Sequence, residues 1–291
     1  MIPSPFEYAA PQTLEEVLSL LQSGGEGAKA LSGGQSLLPV LKLRLAAPEQ
    51  LVDLGKVPGL RRIEAEKDPI AIGAMATHAM IEDSAALRAA CPLLPELAAC
   101  IGDRQVRNRG TIGGSLANAD PAADWPAAVL ALDAELVAAG PRGAVKSIPA
   151  RDFFQGMMKT ALEPGWVLVE VRIRRPGKGG SAYQKVRQSA SGFAIAGVAA
   201  MLEYGPDRVC KRAGIGITGV AENAFRAVAV EKALVGGLLD EKRIAAASQL
   251  ATEKVDDPLS DIHASGNYRL HLARVHCARA LRRAASLSAN P

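Results

Sequence analysis

The chain has 291 residues, room for two or three modest domains, and its 48% hydrophobic and 22% charged side chains describe a globular protein rather than a disordered one. Lys and Arg number 34 against 30 Asp and Glu, a net charge of +4 that is too mixed for a nucleic-acid footprint, and aromatics at 4% leave few platforms for stacking single-stranded bases. The opening MIPSPFEYAAPQTLEEV lacks the charged leader and apolar core of a signal peptide, and apolar runs such as PAAVLALDAELVAAG are broken by charge before membrane-spanning length. A soluble, cytoplasmic chain without a transmembrane segment is expected.

Along the chain, TLEEVLSLLQSG (13–24) carries apolar residues at 14, 17, 18 and 21. That spacing predicts a helix with Thr13 as N-cap, Glu16 completing a capping box and Gly24 as a stop. AKALSGG then reads as a short strand entering a glycine turn, and LLPVLKLRLAAPEQ as a buried loop or short helix leading to the strand QLVDL. RRIEAE and IAIGAM form a hairpin around Lys67–Asp68–Pro69. MIEDSAALRAACPLLPELAACIG is helical in two pieces split near Pro92 and Pro95. The alternation in DRQVRNRGTIGGSLANADPAADW suggests strand. A helix and a hairpin follow in PAAVLALDAELVAAGPRGAVKSIPA, then the period-two strand VLVEVRIRRP. RRPGKGGS (174–181) is the best linker candidate. Beyond it SAYQKVRQ, FAIAGVAAMLEY and VCKRAGIGITGVA read as strands, and two helices, NAFRAVAVEKALVGG and ASGNYRLHLARVHCARALRRAAS, close the chain. The mixed order predicts an α+β protein of at least two domains.

Cysteines at 91, 100, 210 and 277 form no CxxC pair, so the chain alone supplies no iron–sulfur or zinc framework. His78, His263, His271 and His276 show no HExxH spacing, and a metal site is not expected. A literal dinucleotide fingerprint, GIGITG, places glycines at 214, 216 and 219. That motif needs a helix starting at its glycines, so that helix N–H groups meet a pyrophosphate. Here the next helix cap is expected at Asn223, and Ile215, Ile217 and Val220 look like strand positions, so a glycine-bearing antiparallel strand is the better reading.

Two other clusters are more telling. SGGQS (32–36) and TIGGS (111–115) each set a Gly-Gly pair beside hydroxyl residues. Glycine allows positive φ, where successive N–H groups converge into an anion nest. Ser36, Thr111 and Ser115 add hydroxyl donors, and two facing nests could clasp a diphosphate without a lysine. LANADPAAD follows the second cluster. Asp120 before Pro121 suits a helix cap, or equally a carboxylate accepting hydrogen bonds from ribityl or ribose hydroxyls. Asp124 suits the first turn of a helix.

SGGQSLLPVLKLRLAAPEQLVDL, IAIGAMATH, QVRNRGTIGGSLANADPAADWPA and YQKVRQSASGFAIAGVA together resemble the FAD-binding medium subunit of molybdenum hydroxylases, in the carbon monoxide dehydrogenase-like branch of the xanthine dehydrogenase family. The resemblance runs in order along essentially the whole chain. It implies a two-subdomain FAD-binding domain of the vanillyl-alcohol-oxidase type (1–57 and 58–176) and a smaller α+β C-terminal domain (177–291). The family's first motif, Ala-Gly-Gly-His/Gln-Ser, matches Ser32, Gly33, Gly34, Gln35 and Ser36, with serine for the usual alanine, and Leu37 follows. Its second, Thr-Ile-Gly-Gly-Asp/Asn/Ser, matches Thr111, Ile112, Gly113, Gly114 and Ser115. The resemblance implies that these hold the FAD pyrophosphate and that Asp120 and Asp124 serve the ribityl and adenosine side. It also implies that Lys185 and Phe193 approach the isoalloxazine ring.

The resemblance further implies that a large molybdopterin-binding subunit hydroxylates substrate and that a small subunit with two [2Fe–2S] clusters relays the electrons. FAD on this chain would pass them to an external acceptor, within a dimer of heterotrimers (a heterohexamer). No acid–base or nucleophilic residue is demanded of the chain, and no catalytic residue is nominated. The basic stretch Arg172, Arg174, Arg175 and Lys178, and Arg269, Arg274, Arg279, Arg282 and Arg283 of the last helix, could meet acidic partner surfaces or simply face solvent. Two other readings stay open, a free-standing flavin reductase or oxidase on the same fold, and a non-catalytic scaffold subunit.

Overall fold

The computed structural model describes residues 2–287. The first unit comprises β1 (Glu7–Ala9), α1 (Leu14–Gly24), β2 (Ala28–Leu31), α2 (Leu37–Lys42) and β3 (Gln50–Asp53). Its three strands form a parallel sheet in the order β1-β3-β2. The predicted capping box is present: Thr13 accepts from the Glu16 N–H, and Glu16 accepts from the Thr13 N–H. Val17, Leu18 and Leu21 form the buried face of α1 and pack with Val52 and Leu54.

The second unit carries β4 (Ile63–Glu64), β5 (Ile70–Gly73), α3 (His78–Asp83), α4 (Ala85–Ala90), α5 (Leu93–Ala99), α6 (Arg104–Arg109), α7 (Ile112–Asn118) and α8 (Trp125–Ala131). It continues through β6 (Glu135–Gly140), β7 (Ala144–Pro149), α9 (Ala150–Phe153), β8 (Phe154–Gly156), β9 (Lys159–Thr160) and β10 (Val167–Ile173). Five of its strands make an antiparallel sheet, β4-β5-β10-β6-β7, and the small helices cover one side. The segment 80–102 is three helical pieces rather than two, because Ser84 ends α3 and also caps α4 through its hydroxyl. The strand expected across 103–125 is instead α6, α7 and the start of α8. Asp103 and Thr111 each accept a backbone N–H three residues on, and this N-capping overrides the weak alternation.

The third unit holds β11 (Gly179–Arg187), β12 (Ala194–Tyr204), β13 (Cys210–Thr218), β14 (Phe225–Arg226), α10 (Val228–Leu234), α11 (Glu241–Gln249) and α12 (Gly266–Leu287). Its antiparallel sheet, β11-β12-β13-β14, is covered on both faces. Val198, Ala200 and Leu202 of β12 join the core beneath α10–α12, while Ala199 and Met201 join the core of the second unit. Three helices, not two, close the chain. Asn223 caps none of them: its side-chain amide donates to the Phe154 carbonyl, and α10 starts five residues later.

GIGITG lies on β13, as the strand reading expects. Its glycines serve packing. A Cβ on Gly214 would lie 2.9 Å from the Ala131 carbonyl carbon, and one on Gly216 would lie 2.8 Å from that of Ala127. Without those atoms β13 sits directly against α8, and the third unit is seated on the second.

Candidate functional site

A cleft of about 630 Å³ opens where the three units meet. The turn between β2 and α2, the start of α7 and the loop 118–124 line it. Residues 191–193 of the third unit close one side, and Trp166, Val167 and Leu168 form part of the far wall. Of the candidates from sequence, Ser32, Gly33, Gly34, Gln35, Ser36, Leu37, Thr111, Gly113, Gly114, Ser115, Asp120, Asp124 and Phe193 all line this cleft. Ile112 and Lys185 do not; Ile112 is fully buried in the core of the second unit.

The two glycine clusters do different work. In the first, Gly34 has φ +76°, which a side chain resists, whereas Gly33 is needed for contact. A Cβ on Gly33 would press on the Arg109 carbonyl, 2.8 Å from the Gly110 Cα. Among the described residues, the N–H groups of Gly33, Gly34, Gln35, Ser36 and Leu37 have no protein acceptor, and the Ser36 hydroxyl makes no cap bond. This run of free donors beside a positive-φ glycine is an anion nest.

The second cluster is not a nest, contrary to the sequence reading. Gly113 and Gly114 form the first turn of α7, and its donors are taken. Ile112 N–H donates to the Ala76 carbonyl (3.1 Å), Gly113 N–H to Ala74 (2.9 Å), Gly114 N–H to Thr111 Oγ1 (3.0 Å) and Ser115 N–H to the Thr111 carbonyl (3.1 Å). Here glycine supplies thinness. A Cβ on Gly113 would lie 2.7 Å from the Ala74 carbonyl oxygen, and one on Gly114 would lie 2.8 Å from Thr111 Oγ1 and 3.2 Å from Ser32 Cβ. Ser32 Oγ and Thr111 Oγ1, 2.7 Å apart, tie the clusters together.

The two acids also part company. Asp120 accepts the Ala122 N–H at 2.8 Å and caps no helix, since α8 begins at Trp125 with Pro126 next. Asp124 is buried, and its carboxylate receives Lys185 Nζ at 2.8 Å and the Tyr183 hydroxyl. Burial raises the Asp124 pKa, with Lys185 and Tyr183 pulling against it; the Tyr183 phenol is pushed up by burial first and then by Asp124. Lys185 also donates to the Cys100 carbonyl at 3.1 Å, so its charge is spent on the inter-unit seam. Phe193, 42% exposed, stands at the cleft mouth.

Sequence reasoning passed over His78, Gly102, Gly110, Asn118, Leu162 and Trp166, all cleft-lining. His78, Gly110 and Asn118 carried a signal, lying inside quoted motif stretches; Gly102, Leu162 and Trp166 did not. The arginine expectation also changes: Arg269 is buried against Asp261 and the carbonyls of Ile195 and Gly219, while Arg172, Arg174, Arg282 and Arg283 pair with Glu170, Glu203, Glu241 and Glu96. Most of that charge is used within the chain.

These features define an anion-binding cleft built by the first two units and completed by the third, and the comparisons give the family. Residues 4–176 match the FAD binding domain in molybdopterin dehydrogenase, and residues 181–284 match the CO dehydrogenase flavoprotein C-terminal domain. The chain belongs to this family of FAD-binding medium subunits of molybdenum hydroxylases. It is 40% identical to the carbon monoxide dehydrogenase medium chain of Afipia carboxidovorans over all of both chains. It is 38% identical to the 6-hydroxypseudooxynicotine dehydrogenase complex subunit alpha of Paenarthrobacter nicotinovorans over 98% of this chain and 96% of that one. Reconstituted CO dehydrogenase from Oligotropha carboxidovorans superposes with a TM-score of 0.94 at 39% identity, covering 100% of both chains. Quinoline 2-oxidoreductase from Pseudomonas putida does so at 0.91 and 38%, covering 99% of each. Neither the free-standing reductase nor the scaffold reading draws support from these relatives.

Proposed function

We propose that the cleft holds FAD and that the chain is the flavin station of a molybdenum hydroxylase, taking electrons from the [2Fe–2S] clusters of a small subunit and delivering them to an external acceptor. The observation that carries the site is the run of free N–H groups at residues 33–37, facing a second motif stripped of side-chain bulk. Such a turn stabilises a diphosphate through aligned backbone dipoles. The cleft's 630 Å³ lies in the range of about 300–1,000 Å³ usual for ligand sites.

Bound FAD would supply the redox chemistry, accepting electrons singly and releasing them as a pair. The chain's residues hold and orient it. Gly33 to Leu37 and the hydroxyls of Ser36 and Ser115 would hold the diphosphate, Asp120 would accept from ribityl or ribose hydroxyls, and Phe193 would flank the ring at the cleft mouth. Asp124 acts one step back, its carboxylate anchoring Lys185 and Tyr183, so that the third unit shapes the cleft. The divisions at 57/58 and 176/177 separate the parallel sheet, the antiparallel sheet and the C-terminal sheet. A cytoplasmic dimer of heterotrimers, with a molybdopterin-binding large subunit selecting the substrate, completes the reading.

The purified chain should show a flavin spectrum, and molybdenum- and iron-containing partners should accompany it from its native source. Gly34→Val and Gly114→Val should each lose FAD while staying folded. A colourless chain that cannot be reconstituted with FAD, or full flavin in both variants, would refute the assignment.

A further inference from the structure

His78 opens α3 and is 4% exposed, yet it lines the cleft. Its Nδ1 accepts the indole N–H of Trp125 at 3.0 Å. Indole is a donor only, so Nδ1 must present a lone pair and the imidazole proton resides on Nε2. That bond also excludes the imidazolium, in which both ring nitrogens would donate. The opposite edge of the ring lies against Gly110, which also lines the cleft. A Cβ on Gly110 would come within 2.7 Å of Nε2 and 2.9 Å of Cδ2. Glycine at 110 therefore lets the backbone pack beside that edge without a side chain over Nε2. Among the described residues Nε2 has no protein acceptor.

Gly110 is also the residue on which the first glycine turn rests, its Cα 2.8 Å from where a Gly33 Cβ would be. The donor on His78 thus stands at the seam of the two glycine motifs. The His78 and Gly110 backbones are joined directly, His78 N–H donating to the Gly110 carbonyl at 2.9 Å, so the ring cannot drift from the turn. A buried N–H that has its tautomer fixed from behind, lines the cleft and lacks a protein acceptor is a preorganised ligand donor.

We propose that His78 binds the flavin dinucleotide directly, its Nε2–H donating to an acceptor atom of the cofactor beside the glycine turn. The assignment rests on reading the cleft as the FAD site. Burial, and secondarily Arg107, hold the imidazole pKa down to about 4, so the donor stays neutral at working pH. Arg107 itself is engaged by Glu82 at 2.6 Å. His78 adds a directional hydrogen bond without adding a charge to the clasp.

The test is FAD titration of the full chain by flavin fluorescence, comparing wild type, His78→Phe, Gly34→Val and Gly114→Val, with circular dichroism as the folding check. Phenylalanine keeps the ring and removes the donor. His78→Phe should weaken FAD binding about tenfold, the value of one well-made hydrogen bond. An affinity within about twofold of wild type overturns the proposal. Should His78→Phe not fold, long-range nitrogen–proton NMR on the wild-type chain decides: the His78 Nε2–H resonance should shift on FAD addition, and an unmoved resonance refutes the contact. Gly114→Val separates the two readings. Loss of FAD there with normal binding in His78→Phe sinks the histidine alone, whereas normal binding in both Gly114→Val and Gly34→Val sinks the site.

Discussion

Gly33→Ala is the sharpest test of how the cleft is built, because it adds one methyl group at a position where φ is not the constraint. That carbon would press on the Arg109 carbonyl oxygen, with the Arg109 carbonyl carbon at 2.9 Å and the Gly110 Cα at 2.8 Å. Cβ atoms essentially never approach neighbours closer than 3.0 Å, and the atoms here are backbone, which does not swing aside as a side chain does. The turn must lift off the α6–α7 connection or that connection must shift. Overpacking of this kind costs about 1–3 kcal/mol. The Ser32–Thr111 hydroxyl contact at 2.7 Å is the first to be lost, and it contributes roughly 1 kcal/mol. FAD affinity should fall further than stability, since the nest donors and the second motif must face one another to bind a diphosphate. Flavin content of the purified variant and its urea midpoint measure both quantities together. Gly143→Ala is the control, because its Cβ meets nothing within 4 Å and its φ of +76° brings local strain far from the cleft. If Gly33→Ala keeps wild-type flavin content, close approach is not what glycine supplies at this position.

Three other outcomes follow from the same geometry. Lys185→Met leaves the buried Asp124 carboxylate without its counter-charge and should cost about 3 kcal/mol in urea unfolding. Adding Asp124→Asn should recover part of that loss; no change in either variant would refute a structural ion pair. Thr218 Oγ1 lies 2.8 Å from the Pro121 carbonyl and 2.7 Å from that of Ala123, and Thr218→Val should cost about 1–3 kcal/mol and loosen FAD. Unchanged FAD affinity would show that the 121–123 loop needs no help from the third unit. His78 has a folded pKa of about 4, below its unfolded 6.5, so the native state binds fewer protons. Stability is therefore full above pH 6.5 and falls as pH drops toward 4, by about 3 kcal/mol at the lower end. Acid titration of unfolding in wild type against His78→Phe isolates this share, and parallel curves would refute it.

Local signals read well where one residue type has one physical use. Thr13 and Glu16 announce a capping box, and the alternation of VLVEVRI announces β10. Short elements with side-chain caps read poorly: Thr111 and Asp103 turn a glycine-rich, alternating stretch into helices through single hydrogen bonds that periodicity does not register. The glycine pairs were legible as special, but not in kind. A missing Cβ permits either positive φ or close approach, and the sequence is identical in both cases. Gly34 has the first use, and Gly33 and Gly113 the second. Lys185 looked like a ring neighbour because the resemblance placed it near the flavin. Its partner Asp124 lies 61 residues away, and no local pattern encodes that pairing.

The third unit completes the cleft rather than merely adjoining it. Ala194 N–H donates to the Ala122 carbonyl, Gly219 N–H to that of Pro121, and Thr218 serves Pro121 and Ala123. The ends of β12 and β13 thus hold the loop that carries Asp120 and Asp124. Arg269, buried in α12, binds the Ile195 and Gly219 carbonyls at 2.7 Å each and fixes those strand ends from the other side. A cofactor gripped in this cleft contacts the first and second units directly and the third through residues 191–193. Any force that unseats α12 should therefore reach the cofactor through two strand ends and one loop. FAD should in turn stabilise the third unit against unfolding by the free energy of its own binding. Hydrogen exchange at β12 and β13, compared with and without FAD, reads that coupling directly; protection confined to the first two units would show that the third only flanks the site.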